Sequence, residues 1–434
     1  MATKKKTVSK EEIMKKAKKE VGKGVPTKVA SETKKRVAKA KTTAKPLDFS
    51  QKENDPNTVF FRWDDAIKKC PTAKYFMAMG ERSNGKTFAS LEIGLFGYHA
   101  NGVDINGYLD DGSQLAIIRR WEEDFKGKNG SQQFDNFINN ELFGNVLEKR
   151  TKLKWNGVFY YSQRWYLAHY DKAGKRDGID PVPFAFAFSL GAGEHAKSSS
   201  YPNIRNILFD EWITRGHYLI DEFILFTGIL STIIRRRDDA RIFMCANTIS
   251  KYDCPYFLEM GLTNARKMQP GEIDVYQYGD SGLSVVLQYT DPPIGEIRSN
   301  VYFAFDNPKL DMIKKGSWEI TNYPHLPIKY KPKHIQYIYF IEFLDEVYQC
   351  EIIENGDYLF TFIHRKTTPI KEGDDALVYG QSYKPLPNYR RKILKPQTKL
   401  EKIIAWFYTS DRVFYQDNEV GEAIRGYLRW QAQA

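Results

Sequence analysis

Cysteine is scarce, no apolar run reaches membrane length, and the first 46 residues contain no aromatic side chain. Each lack excludes something. The four cysteines, Cys70, Cys245, Cys254 and Cys350, form no CxxC pair and have no histidine at zinc-ligand spacing, so a disulfide scaffold and a zinc module give way to reduced thiols. The longest apolar run, Phe223 to Ile234, is about 12 residues, too short to cross a bilayer at about 1.5 Å per residue. Acids precede it at Asp221 and Glu222 and arginines follow it at 235–237, which reads as a buried helix and no membrane partner. The first residues are basic and lack the apolar core of a secretion signal, so the expectation is a cytosolic protein, not a secreted one. No internal repeat is visible.

The charge is unevenly placed. The whole chain of 434 residues carries 65 Lys and Arg against 54 Asp and Glu, a formal +11. Residues 1–46 hold 16 of the bases and 4 of the acids, which leaves 49 bases and 50 acids in the remainder. The body is near neutral, and the basic character lives in a tail rich in Lys, Ala, Thr and Val. Such a segment buries too little apolar surface to offset its ordering entropy, so it reads as a disordered basic tail. Its role is either solubilising or polyanion-binding.

From Pro46 the composition is globular, with 42% hydrophobic and 14% aromatic residues overall. Short apolar runs at 75–79, 114–118 and 207–209 alternate with helical patterns, which predicts an α/β domain with a mostly parallel sheet over 47–290. Aromatic runs at 155–161 and 164–169 predict an antiparallel hairpin. Six prolines over 291–333 mark a linker. Beyond it, runs at 335–343, 348–353 and 358–364 read as a three-strand meander, followed by helices at 399–408 and 419–430: an α+β domain over 334–434.

The strongest chemical signal is Gly80-Glu81-Arg82-Ser83-Asn84-Gly85-Lys86-Thr87, a full G-x-x-x-x-G-K-[ST] match that an apolar run enters and a helical pattern leaves. Gly80 and Gly85 let the backbone curl so that N–H groups, those of Arg82 and Asn84 among them, converge on phosphate oxygens at a helix N-terminus. Lys86 would hold the β and γ phosphates of ATP, and Thr87 would ligate Mg²⁺. The second signal is Ile207-Leu208-Phe209-Asp210-Glu211, an apolar strand ending in two acids: Asp210 for Mg²⁺, Glu211 to orient and polarise the attacking water. Asp221-Glu222 is a rival acid pair, but it opens a helical stretch, where acids suit the helix dipole. Arg235-Arg236-Arg237 reads either as a helix C-terminal cluster or as an arginine finger reaching a nucleotide across a subunit boundary. Asn247 ends an apolar strand, where it would sense the γ-phosphate or cap a loop. Arg119 and Arg120 close the strand at 115–118 and offer a contact to nucleotide, a neighbour or DNA, or simply surface charge.

Taken together these residues resemble the DNA-encapsidation ATPases of small tailed phages, relatives of the terminase large subunits. The resemblance rests on Ser198 to Asn203 before Ile207 to Glu211, on Ala116 to Arg120, on Ala246-Asn247-Thr248 with Pro255-Tyr256-Phe257, and on Arg82 inside the loop. It spans roughly residues 70–260 well and 335–430 loosely. It implies an ASCE-type P-loop ATPase domain and an RNase H-like C-terminal domain. It also implies a homomeric ring, expected to be a pentamer, on a procapsid portal, a motor that hydrolyses ATP to move double-stranded DNA, and possible use of a structural RNA. By position, Arg235 matches the family's trans-acting finger, and Arg119 and Arg120 its basic strand end. The family's Lys after that pair is replaced here by Trp121, Glu122 and Glu123. The second block offers Glu342, Asp345 and Glu346, with Asp411 and Asp417 later, and no persuasive nuclease set, so it reads as a vestigial nuclease. The alternatives are a terminase with an active metal-dependent nuclease and a nucleotide-switched assembly protein that binds nucleic acid.

Overall fold

The computed structural model describes residues 60–434, apart from 83, 97–112, 141–143, 152, 193–198, 215–216, 250–251, 253, 292–320, 327, 372–374, 383 and 434. The basic tail and most of the expected linker lie outside the described residues. Residues 54–434 form one compact unit, and its described part is built on two sheets.

The first sheet has ten strands: β1 (Tyr75–Gly80), β2 (Gln114–Arg119), β3 (Gly157–Tyr161), β4 (Arg164–Tyr170), β5 (Arg176–Ile179), β6 (Ala185–Ser189), β7 (Ile204–Asp210), β8 (Arg241–Asn247), β9 (Ile273–Tyr278) and β10 (Leu283–Tyr289). Their order is β3-β4-β6-β2-β7-β8-β1-β10-β9, with β5 also paired to β4. The six central strands, from β6 to β10, run parallel, and antiparallel strands flank them on both sides. Strand alternation sends side chains to two separate cores. Met77, Met79, Ala116, Ile118, Ile207 and Phe209 pack on one face with α6 (Glu222–Ile234) and α7 (Pro255–Glu259). Phe76, Ala78, Leu115, Ile117, Leu208 and Phe243 pack on the other with α1 (Asp64–Lys69) and α2 (Lys86–Phe96). Central parallel strands buried on both faces explain the continuous apolar runs of the sequence. Between β2 and β3 lie three short helices, α3 (Gly127–Ser131), α4 (Asp135–Ile138) and α5 (Val146–Arg150).

The β3–β4 hairpin forms as expected, but it turns on Ser162 and Gln163, both at positive φ (49° and 60°). Two-residue hairpins favour Asn-Gly for that conformation, so the pairing is carried by aromatic packing such as Tyr160 on Trp165 rather than by turn chemistry.

The second sheet has the order β15-β14-β11-β12-β13-β16. The meander β11 (Ile335–Phe343), β12 (Glu346–Asn355) and β13 (Tyr358–Arg365) is antiparallel. The short strands β14 (Val378–Gly380), β15 (Tyr389–Arg390) and β16 (Val413–Tyr415) add parallel at the two sides. The helices α8 (Lys399–Thr409) and α9 (Asn418–Gln433) cover one face through Ile404, Phe407, Val420, Ile424 and Tyr427. Thr398 caps α8 by accepting the Glu401 N–H at 3.2 Å. Tyr252, from the first sheet's loops, is buried in this second core, and Arg266 donates to the Leu344 carbonyl at 2.6 Å. No helix among the described residues is long and apolar enough to cross a membrane.

Candidate functional site

Parallel register brings the C-terminal ends of four strands together. Gly80 lies opposite Asn247, Asp210 opposite Cys245, and Ile118 opposite Phe209. The loop from β1 into α2 therefore faces the acids that end β7 and the asparagine that ends β8, which is the edge where open α/β sheets bind ligands. A cleft of about 520 Å³ opens there, lined by Lys86, Thr87, Arg119, Asp210, Glu211 and Asn247 among others.

The loop's two glycines are required for different reasons. Gly80 (φ 156°) sits against Thr290, whose Oγ1 would be 2.0 Å from any Cβ placed there, and Gly85 has φ 92° and backs onto Phe60. Thr290, just past β10, also accepts from Asn84 Nδ2 at 2.6 Å, and its N–H donates to the Met79 carbonyl at 2.8 Å. Nothing in the local motif pointed to Thr290, because the contact spans 206 residues. Asn84 is buried and braces the loop rather than lining the cleft, while Arg82 is exposed.

Lys86 is buried and folds back on its own loop, donating to the Glu81 carbonyl at 2.5 Å and to Asn84 Oδ1 at 3.0 Å. Burial pulls its ammonium down to about 8, with Cys245 and the Asp210 carboxylate opposing the shift. The buried Cys245 thiol is pushed up to about 12, by burial first and then by the Asp210 charge. Thr87 Oγ1 donates to Asp210 Oδ1 at 3.1 Å. That pair of oxygens at a helix N-terminus is a hard donor set of the kind a magnesium ion takes.

Glu211 has its side chain 63% exposed at the mouth of the cleft, on backbone held at φ 64°. A non-glycine residue there costs about 1–2 kcal/mol and persists only where neighbours impose it. Its N–H donates to the Cys245 carbonyl at 2.7 Å.

The two adjacent arginines part company. Arg119 turns into the cleft, donating to Asp210 Oδ2 and lying 3.7 Å from Glu211 Oε2. Arg120 turns inward and is only 4% exposed. It pairs with Glu222 through two hydrogen bonds of 2.7 Å. The contact to a neighbour or to DNA expected of Arg120 is therefore corrected, since a guanidinium so enclosed presents nothing outward. Glu222 is likewise no rival acid but the buried partner of Arg120.

Residues 78–269 match the family described as Podovirus DNA encapsidation protein (Gp16). Over those residues the chain is similar to the podovirus DNA encapsidation family. Curated relatives named DNA packaging protein share 32% identity over 92 residues in Bacillus phage phi29 and 27% over 187 residues in Bacillus phage B103. The matched stretches are 20% and 42% of this chain, and 27% and 47% of those proteins, so the chain spans less than half the length of either. Two solved structures are also similar: the bacteriophage phi29 genome packaging motor assembly (16% identity, TM-score 0.48, 87% of this chain and 100% of that one) and the N-terminal domain of the phi29 DNA packaging ATPase (20%, TM-score 0.38, 54% and 96%).

The encapsidation segment contains the whole charged wall of the cleft and also a wall that sequence reasoning missed. Asn129, Gln132, Gln133 and Asn136, from the α3–α4 region, face the cleft as uncharged amides. Their density in a short stretch was the only signal, and nothing local said which way they point. Arg235 lies outside the cleft lining. It ends α6 at φ 55°, exposed, and donates to the Ser199 carbonyl at 2.7 Å. Arg237 instead caps carbonyls at Tyr201, Ile204 and Ile233. In the second sheet Glu342 accepts two hydrogen bonds from Lys384, at 2.7 and 3.0 Å.

Proposed function

We propose that this chain is the motor of a viral packaging machine, hydrolysing ATP to drive double-stranded DNA into a procapsid. The observation that carries the reading is the juxtaposition, across 123 residues of sequence, of Thr87 and Asp210 at 3.1 Å beneath a glycine-cradled loop, with Glu211 on the rim. β8 between β1 and β7 also supports an ASCE-type P-loop domain. In this reading the loop N–H groups and Lys86 receive the β and γ phosphates, with Lys86 released from Glu81 and Asn84 as phosphate oxygens replace them. Thr87 and Asp210 would hold Mg²⁺, which when bound offsets charge on the phosphate oxygens. Glu211 orients the attacking water and accepts its proton, and Asn247 touches the γ-phosphate side. Arg119 exchanges its carboxylate contacts for nucleotide.

Arg235, exposed and away from its own cleft, is the finger offered to a neighbour in a homomeric ring, for which five subunits are proposed. The ring would sit on the portal in the host cytoplasm, gripping DNA mainly through phosphates because a packaging motor must accept any sequence. The basic tail serves as a polyanion-binding arm, with a structural RNA a second candidate for it. The C-terminal sheet is read as an RNase H-like domain, on the support of its antiparallel meander with β14 added parallel beside β11, and it grips without cutting.

The test is steady-state ATP hydrolysis with and without double-stranded DNA, using the native chain, Glu211→Gln, Arg235→Ala and a mixture of the two variants. DNA-stimulated turnover lost in each variant and partly restored on mixing is the expected result. Turnover indifferent to DNA and to both substitutions would overturn the reading.

A further inference from the structure

The Glu211 side chain is mostly exposed, with Arg119 3.7 Å from its Oε2, and the point from which it starts is fixed by a backbone held in the left-handed region. The holding groups are identifiable. Arg120 donates to the Glu211 carbonyl at 3.1 Å and to the Trp212 carbonyl at 3.3 Å. The same guanidinium gives two further donors to the two oxygens of Glu222. Glu222 is itself fixed, accepting the Leu219 N–H at 2.8 Å and the Tyr256 hydroxyl at 3.0 Å. The Trp212 ring is fully buried, edge-on to Tyr256 and Phe257. Below the guanidinium lies the Tyr218 ring, 5.0 Å away.

We infer that Arg120, anchored by Glu222, is a positioning residue that clamps the turn after β7 and so aims the Glu211 carboxylate into the cleft. Only a guanidinium suits the task, because its planar fork of donors serves two carbonyls and a carboxylate at once. Arg120 does not line the cleft, so it holds the water-orienting acid without touching nucleotide. The clamp also gives the buried charge pair a purpose. Such pairs are costly to desolvate and often add no net stability, so a pair kept here is explained by the geometry it imposes. The inference rests on Glu211 orienting the attacking water, as proposed above.

The experiment compares the full-length native chain with Arg120→Lys, with the charge-free double variant Arg120→Met/Glu222→Gln, and with Glu211→Gln. The double variant leaves no buried charge unpaired, keeps an oxygen to accept the Leu219 N–H and offers an amide N–H that the Tyr256 hydroxyl can accept, so it tests the clamp even if a single replacement fails to fold. Three readings are taken: DNA-stimulated kcat for ATP, Kd for the slowly hydrolysed analogue ATPγS, and the thermal midpoint. The expected result for the double variant is a kcat lower by roughly 30- to 100-fold, the scale of a misplacement near 1 Å, with Kd within about threefold and a folded protein. Arg120→Lys, with fewer donors, recovers part of the kcat. Native kcat in the folded double variant would overturn the clamp, and so would kcat, Kd and midpoint declining together, since Arg120 would then only hold the fold. Undiminished turnover in Glu211→Gln would instead remove the catalytic reading beneath it.

Discussion

Both sheets of this protein present carboxylates, yet only one arranges them as a site. In the first, Asp210 ends a parallel strand and meets Thr87 from a helix N-terminus, with Glu211 beside it and an open cleft above. In the second, Glu342 is on a meander strand and is taken up by Lys384, with Tyr389 3.5 Å away. Among the described residues no cluster of three or more His, Cys, Asp or Glu is arranged to hold a metal ion. The difference lies in topology. Parallel strands release their chains on one edge, so loops, helix N-termini and acids from distant sequence converge there. In the second sheet β14 lies parallel beside β11, and the chain leaving it brings Lys384 onto Glu342, so that carboxylate is neutralised.

The comparison breaks first at Glu211. Removing a positioned general base typically costs about 10²- to 10⁴-fold in rate, so Glu211→Gln should abolish most ATP turnover while leaving nucleotide affinity within a few-fold. Steady-state kinetics beside equilibrium binding checks both halves. If affinity collapses with turnover, the acid is part of the binding wall and the first sheet is no more specialised than the second.

Lys86 sharpens the contrast through pH. Its folded pKa, about 8, is below the ordinary lysine value, so the empty site loses the proton as pH rises through that point. Triphosphate favours the ammonium, so binding takes a proton up above pH 8. Nucleotide affinity should weaken by about tenfold between pH 7 and pH 9, following the linkage of one proton. Calorimetry in buffers of different ionisation enthalpy reports that proton directly, and a flat profile would mean that phosphate does not reach Lys86.

A smaller effect is expected at the β3–β4 hairpin. Replacing Ser162 and Gln163 by Asn-Gly should stabilise the chain by about 1 kcal/mol, because both positions have positive φ. A denaturant midpoint that does not rise would show that the hairpin is set wholly by its aromatic pairs. The smallest effect is expected at Glu342. Glu342→Gln should leave ATP turnover unchanged, and plasmid DNA with Mn²⁺ should stay intact in native and variant chains alike. Native cutting that the variant loses would erase the contrast between the sheets.

Much of this was legible along the chain. Central strands and long helices were readable because burial on two faces leaves long apolar runs, as at β9 and β10, and because Gly80 to Thr87 sits between a strand pattern and a helix pattern. The short strands β14, β15 and β16 were not, since three residues or fewer carry no period. Thr290 and the amide wall were also missed, because their relation to the loop is made by the sheet and not by spacing.

By itself the sequence determined which charged and glycine residues end the strands: the glycine loop with Lys86 and Thr87 after β1, the acids after β7, and the arginine pair after β2. Local pattern suffices for these because strand, loop and helix each leave a period or a spacing. Which way the arginines face was decided only in three dimensions. Arg119 and Arg120 are neighbours of one type and charge, and no local rule separates them. Asp210 draws one into the cleft from 91 residues away, and Glu222 draws the other into the interior from 102. A buried guanidinium persists only where a carboxylate and carbonyls meet its donors, and only the folded chain brings them there.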